Sequence, residues 1–251
     1  MVAVLAGERL ICPASLSLLS MLETLISCRR DWLPLLRLRV RLCGGEPRGF
    51  FSRYNTEICI EGYPRSANSF AVRMFRQAND LHVAHHTHAI ANIRAALRQN
   101  VPVICLIRSP LAAICSNLIY SGSSNVAQEI ADYRRFYEFA EKESRAVLFA
   151  KFETVTNDFE LLILAANKRF GACYRHVGGH NKAAKMVQRD IEEAYKLLSD
   201  EGNLRSDRIP IPRKVRSLTR QRWEPSVRAD KGFNRISELY ERIVTSAPCI
   251  V

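Results

Sequence analysis

Three short stretches of the sequence collect side chains that bind anions or move protons. They read GYPRSANSF (62–70), HHTH (85–88) and LIRSPLAAICS (106–116). Arginine and hydroxyl groups donate directed hydrogen bonds to phosphate or sulfate oxygens, and the amide groups at the start of a helix also suit an anion. A neutral histidine accepts a proton from an attacking hydroxyl or amine. Together the stretches indicate a site for a phosphorylated ligand with a base beside it.

The three stretches follow segments with the pattern of buried strands. Short apolar runs predict strands over residues 56–62, 81–86, 101–107 and 146–152. Helices are predicted over residues 69–79, 90–99, 109–120, 126–142 and 158–170, followed by a basic and helical remainder after residue 175. Strands that alternate with helices indicate βαβ units and a parallel sheet. Ligands of such sheets bind at the carboxyl ends of the strands, where all three stretches are expected to lie.

The composition indicates one folded domain with an excess of positive charge. The chain has 251 residues, of which 47% are hydrophobic, and its 37 lysines and arginines against 25 acidic residues give a net charge of +12. A chain of this length can bury one sizeable core, and its charge attracts anionic partners. We expect a single domain over residues 49–251, with a helical C-terminal part, and a helical N-terminal extension over residues 1–48.

The N-terminal extension allows three interpretations. Residues 10–28 are apolar, but Pro13 and Glu23 interrupt a run that falls short of the ~20 strongly apolar residues of a spanning helix. Residues 28–43 alternate basic and apolar side chains, which suits a helix on an anionic membrane surface. The extension is therefore a helix packed on the core, a peripheral membrane contact through residues 10–45, or a signal or anchor segment.

Cysteine usage indicates a reducing compartment. The eight cysteines show no CxxC spacing, and Cys59 and Cys105 lie inside runs that are predicted to be buried strands. A buried thiol behaves as a small hydrophobic group, and a disulfide framework is not expected in a chain of this length and spacing. We therefore expect a cytoplasmic protein, with association to a membrane left open.

The motifs resemble those of the sulfotransferase family, in the same order, over residues 56–170. GYPRSANSF looks like the strand, loop and helix that bind the 5′-phosphosulfate of the donor, 3′-phosphoadenosine 5′-phosphosulfate (PAPS). LIRSPLAAICS looks like the second family signature, in which an arginine at a strand end and a serine eight residues later bind the 3′-phosphate. HTHAI (86–90) looks like the Lys-Thr-His segment that carries the catalytic base, and AKFETV (150–155) resembles a later Tyr-Glu-Asp-Leu region.

The resemblance implies a role for each matching residue. Arg65 contacts the bridging oxygen and the 5′-phosphate of the donor, and His88 is the catalytic base. Arg108 and Ser116 hold the 3′-phosphate from two sides. Four loop residues supply backbone and hydroxyl donors to the 5′-phosphate: Ser66, Ala67, Asn68 and Ser69. The resemblance also implies a three-layer α/β fold of the P-loop nucleotide-binding type, with PAPS as co-substrate and no required metal.

The sequence departs from the family pattern at several positions. Arg65 stands where cytosolic members carry lysine, and His86 occupies the place of the lysine in Lys-Thr-His. Ala67 replaces the usual glycine, which narrows the backbone conformations open to the loop. No segment matches the late Arg-Lys-Gly motif closely: either PRKVR (212–216) replaces it, or the 3′-phosphate site is incomplete.

The residues alone leave other functions possible. A structural role or a metal site is the alternative for His88, although no cysteine or carboxylate joins its histidine neighbours at ligand spacing. One rival function is a P-loop-type kinase, which the missing Gly-x-x-x-x-Gly-Lys-Ser/Thr signature disfavours. The other is a catalytically inactive nucleotide- or polyanion-binding protein. We expect a PAPS-dependent sulfotransferase that acts on a hydroxyl or amine of a sugar, glycolipid or small metabolite, with no nucleic-acid partner.

Overall fold

A computed structural model describes residues 33–42, 49–200, 214–247 and 250–251 of the chain. The strands are β1 (Ile58–Gly62), β2 (Val83–His85), β3 (Val103–Ile107) and β4 (Leu148–Lys151). The helices are α1 (Leu33–Leu42), α2 (Asn68–Ala78), α3 (Ile90–Arg98), α4 (Pro110–Ser121), α5 (Val126–Lys142), α6 (Phe152–Asn157), α7 (Phe159–Phe170), α8 (His180–Asp200), α9 (Lys214–Ala229) and α10 (Phe233–Ser246).

The four strands form one parallel sheet in the order β2-β1-β3-β4. The chain moves from β1 to β2 on one side, then crosses back and continues with β3 on the other side of β1. The carboxyl ends of β1 and β3 therefore border the point where the strand order reverses, which is where open α/β sheets bind ligands. Beside β4, Phe149 pairs in parallel with Ile250 and extends this edge of the sheet.

The core lies on both faces of the sheet, because successive strand residues point to opposite faces. Ile58 and Ile60 pack with α2, α6, α7 and α8, whereas Cys59 packs on the other side with α3, α4, α5, α9 and α10. The strands consist of buried apolar residues almost throughout, as expected of a parallel sheet that is covered on both faces. The predicted three-layer α/β fold with a central parallel sheet is confirmed.

The predicted elements agree closely with the structure where the sequence pattern is long. The helix expected over residues 126–142 is α5, which has the same bounds. The strand expected over residues 101–107 is β3, which begins two residues later. The strand expected over 81–86 is shorter, and the six-residue helix α6 was not predicted. Helix α6 is too short to display a helical period, and it begins directly where β4 ends.

The expectations for the N-terminal extension fall largely outside the described residues. Within it, residues 33–42 form the helix α1, whereas residues 1–32 and 43–48 lie outside the description. The same holds for residues 212 and 213 of the PRKVR segment, whose last three residues belong to α9. Across the described ranges, no helix combines the length and apolar character required to cross a bilayer.

Candidate functional site

Three of the predicted site residues meet where β1 and β3 end. Arg65 lies in the loop after β1, Arg108 directly follows β3, and Ser116 lies in α4. The Nη1 group of Arg108 donates a hydrogen bond of 3.0 Å to the backbone oxygen of Arg65. The Nε group of Arg65 donates one of 3.1 Å to the Ser116 hydroxyl. The structure thus brings the two predicted phosphate-binding stretches into direct contact.

Aromatic rings hold both guanidinium groups in place. Arg65 lies over the ring of Tyr120, 4.8 Å from its centroid, and Arg108 lies over Phe152 at 4.0 Å. Burial lowers the pKa of Arg65, and the nearby hydroxyl groups of Tyr195 and Tyr120 act in the opposite direction. A planar cation stacked on a ring presents its remaining donors in a fixed direction. The pair therefore forms a rigid concentration of positive charge at the edge of the sheet.

The loop between β1 and α2 has an unusual backbone. Arg65 and Ala67 both have φ of 70°, in the left-handed region that favours glycine. Ala67 is also the residue that caps α2, and it offers no side-chain acceptor to the first amide groups of the helix. Helix α4 likewise begins without a side-chain cap. Two helix starts at this edge thus carry N–H groups with no side-chain acceptor, an arrangement that suits an anion.

The polar side chains of this loop make contacts within the protein. Ser66 is buried, and its hydroxyl hydrogen-bonds that of Tyr137 at 3.3 Å. Asn68 is also buried and donates to a backbone carbonyl of its own loop. The hydroxyl of Ser69 bonds Nε2 of His86 at 2.8 Å. The Ser66 side chain therefore faces the core, and its backbone N–H donates a hydrogen bond of 3.3 Å to the carbonyl of Tyr63. Both groups of Ser66 that were expected to bind a ligand are thus engaged within the protein.

The geometry gives His88 a defined basic nitrogen. Its Nδ1 lies 2.8 Å from the backbone oxygen of Gly62. Since a carbonyl oxygen only accepts, Nδ1 carries the hydrogen and the lone pair of Nε2 is left to take up a proton. The ring is half-buried, at the carboxyl end of β1. His88 has the tautomer that a general base at this edge of the sheet would need.

Sequence reasoning missed Glu61, which organises the loop that carries His88. Glu61 is fully buried at the end of β1. Its Oε1 accepts hydrogen bonds from the Thr87 amide (2.9 Å), the Thr87 hydroxyl (2.6 Å) and Nδ2 of Asn92 (2.9 Å). Its Oε2 accepts one from the amide of His88 at 3.1 Å. An acidic residue inside the apolar run EICIEG was the available signal, because a buried carboxylate requires partners.

His85 and His86 form a second polar pair in the same segment. Their Nδ1 atoms lie 2.6 Å apart, so one ring donates and the other accepts. Burial, followed by the charges of Arg76 and His88, lowers the pKa of His85 to about 4. Partial burial, followed by the charges of His85, His88, Arg73 and Arg76, lowers the pKa of His86, although part of its side chain is exposed. Two protonated rings cannot share this contact, which agrees with the direction of both shifts.

A separate cavity of about 290 Å³ lies at the opposite edge of the sheet. It is lined by Asn79, Asp80, Leu81, Cys173, Tyr174 and Arg175. Three of these residues lie between α2 and β2 and three follow α7, so the cavity contains none of the predicted site residues. Among the described residues, no cluster of three or more histidine, cysteine or acidic side chains could hold a metal ion.

The buried carboxylate of Glu61 can be tested by one substitution. Replacing Glu61 by Gln keeps an oxygen acceptor for the three donors that meet at Oε1 but places an NH₂ group where the His88 amide now donates to Oε2, so that amide is left without an acceptor. We expect Glu61→Gln to lower the free energy of unfolding by about 1–3 kcal/mol and to speed hydrogen exchange at the His88 amide. Denaturant titration and exchange measured by NMR check both effects.

Glu57→Gln is the matched control, since Glu57 is exposed and accepts one backbone hydrogen bond, from His82. It should change the free energy of unfolding by less than about 0.5 kcal/mol. Equal effects of the two substitutions would contradict the role assigned to Glu61.

The lowered pKa of His85 predicts how stability depends on pH. A histidine of the unfolded chain binds a proton as the pH falls through 6.5, whereas folded His85 binds one only near pH 4. The unfolded state therefore gains protons first, and stability falls as the pH drops from 6.5 towards 4. The slope from one proton is at most about 1.4 kcal/mol per pH unit, and the partial exposure of His85 makes it smaller.

We expect His85→Asn to flatten the fall in the free energy of unfolding between pH 6.5 and 5, measured by denaturant titration. His82→Asn serves as control, because His82 is exposed in the same segment. If the two variants lose stability with pH as steeply as the native protein, His85 does not carry the effect.

The chain is similar to a known protein at the level of the fold. No protein-family model matches the chain, and no curated protein matches it. Among solved structures, the chain is similar to the mouse sulfotransferase SULT7A1 complexed with PAP, with 14% sequence identity and a TM-score of 0.41. The similarity covers 76% of this chain and 91% of that protein. A functional assignment therefore has to be argued from the residues of this chain.

Proposed function

We propose that this protein is a sulfotransferase that moves the sulfuryl group of PAPS to a hydroxyl or amine of an acceptor. The observation that carries the proposal is the direct contact between the loops of Arg65 and Arg108 at the crevice between β1 and β3. His88 lies at the same edge, with its Nε2 as the basic nitrogen. The order and spacing of the sequence motifs support the same activity.

The proposed site holds the donor by its two phosphate groups. Arg65 and the uncapped amide groups at the start of α2 face the 5′-phosphosulfate. Arg108 and Ser116 hold the 3′-phosphate, and the bond between Arg65 and Ser116 couples the two subsites. Ala67, Asn68 and Ser69 contribute backbone N–H groups to the first subsite. Arginine binds such oxyanions with directed, charge-assisted hydrogen bonds.

The transfer itself needs a base and a charge to stabilise the leaving group. The acceptor oxygen or nitrogen forms a bond to sulfur while the bond from sulfur to the bridging phosphate oxygen breaks. The electron pair of that bond goes to the phosphate of the product, 3′-phosphoadenosine 5′-phosphate (PAP), where Arg65 neutralises the charge. The acceptor proton passes to Nε2 of His88. By analogy with phosphoryl transfer, positioning and electrostatics supply most of the rate.

Binding of the product nucleotide tests the donor site. We expect calorimetric titration with PAP to show saturable binding, and Arg108→Ala to weaken it at least about tenfold, because a charge-assisted hydrogen bond is lost. Arg98→Ala is the matched control, since Arg98 is exposed at the far end of α3. ATP is titrated beside PAP.

A preference for ATP over PAP would reject the donor assignment in favour of a kinase. Absence of binding to either nucleotide by the native protein would reject a nucleotide site altogether.

Replacing His88 separates an enzyme from a binding protein. His88→Asn retains an amide donor for the Gly62 carbonyl but lacks a basic nitrogen. We expect the affinity for PAP to stay within about twofold of that of the native protein. The rate at which inorganic sulfate is released from PAPS, with water as acceptor, should fall about 100-fold or more. Sulfate release is followed by ion chromatography. Unchanged release in His88→Asn would show that His88 is not the base and would favour the inactive binding protein.

A further inference from the structure

One face of α2 carries two arginines beside the histidine segment. Ser69, Arg73 and Arg76 are spaced by four and three residues, which places them on the same side of the helix. The Ser69 hydroxyl touches His86, so this side runs along the loop that follows β2. From Ser69 to Arg76 the helix rises about 10 Å. We call Arg73 and Arg76 together the α2 arginine pair.

The α2 arginine pair has no ion-pair partner among the residues that the structure describes. Within the described part of the chain, neither guanidinium group donates a hydrogen bond or forms an ion pair. The charges that act on His85 and His86 come from the pair, from His88 and from each other, with no carboxylate among them. This edge of the proposed site therefore carries uncompensated positive charge.

Several other arginines on the surface of the domain are paired with carboxylates. Arg134 and Arg235 both form ion pairs with Glu138, and Arg242 forms a bidentate ion pair with Glu141. These pairs tie α10 to α5, on the other face of the sheet from α2. The α2 arginine pair differs from these, because Arg73 is half-buried and no carboxylate in the described ranges pairs with it. A partly desolvated cation without a partner favours the binding of an anion.

We infer that the α2 arginine pair binds an anionic group of the acceptor, a carboxylate or a sulfate, while the acceptor presents its hydroxyl or amine to His88. The inference rests on the proposed transferase function and deepens it by naming the chemical class of the acceptor. A neutral acceptor leaves both cations uncompensated.

Matched sugar probes test the inference without a known acceptor. The ring signals of His85 and His86 are followed by NMR while PAP-saturated protein is titrated with methyl β-glucuronide, glucose 6-sulfate or methyl β-glucoside. The first two probes carry a carboxylate and a sulfate, and the third is the neutral counterpart. We expect saturable shifts of the histidine signals with at least one anionic probe and none with the glucoside.

Two double variants assign the effect to the residues. Arg73→Gln with Arg76→Gln should weaken binding of the anionic probe at least about fivefold, in line with two partly exposed charge pairs. Arg98→Gln with Arg145→Gln removes the same charge from exposed positions elsewhere and should leave the affinity within about twofold. The two anionic probes show whether carboxylate or sulfate is preferred.

Several results would overturn the inference. These are absence of a shift with both anionic probes, equal shifts with the glucoside, and equal losses in the two double variants. Calorimetry with PAP on the same samples keeps the two proposals apart. Failure of PAP to bind rejects the transferase function, whereas PAP binding without an anion effect rejects only the acceptor class.

Discussion

A buried carboxylate at the end of β1 determines how the site is arranged. Glu61 has no exposed surface and accepts three hydrogen bonds from the segment between β2 and α3 and one from Asn92 of α3. A charge removed from water is tolerated only if such partners are supplied, so the position of Thr87 and His88 is tied to that of Glu61. The neighbouring carbonyl of Gly62 then sets the tautomer of His88. One strand end thus fixes both the place of His88, the proposed base, and the ring nitrogen that carries the lone pair.

The arginines depend on a second set of contacts, made by α5. Tyr133 donates a hydrogen bond to the carbonyl of Arg108 at 2.8 Å, and Tyr137 donates one to the carbonyl of Leu106 at 2.7 Å. Both tyrosine rings are fully buried. Buried phenols that hold the end of β3 leave little freedom to the residue that follows it. The positive charge at the crevice is therefore positioned by the core and is already in place before any ligand arrives.

The sequence predicted those parts of the site that depend on chain order alone. Parallel strands end at one edge, so Arg65 and Arg108 could be placed together from the pattern of β1 and β3. The hydrogen-bond partners of Glu61 could not be predicted in this way, because they depend on which loop folds back over the end of β1. The direction of the Ser66 side chain could not be predicted from the sequence either, since it follows from the left-handed backbone at Arg65 and from the position of Tyr137. Missing counter-charges near Arg73 likewise become visible only when distances are known.

Backbone strain at the site argues for a rigid binding surface. Arg65, Ala67, His86 and His88 all have positive φ, between 50° and 70°. Each such residue costs roughly 1–2 kcal/mol relative to a right-handed backbone, and a domain has a net stability of only about 5–15 kcal/mol. Strain of this size persists where the surroundings determine the conformation, and here Glu61, the Gly62 carbonyl and Arg108 do so. The two strained loops flank the same crevice, so the strain is concentrated where a phosphorylated ligand would be bound.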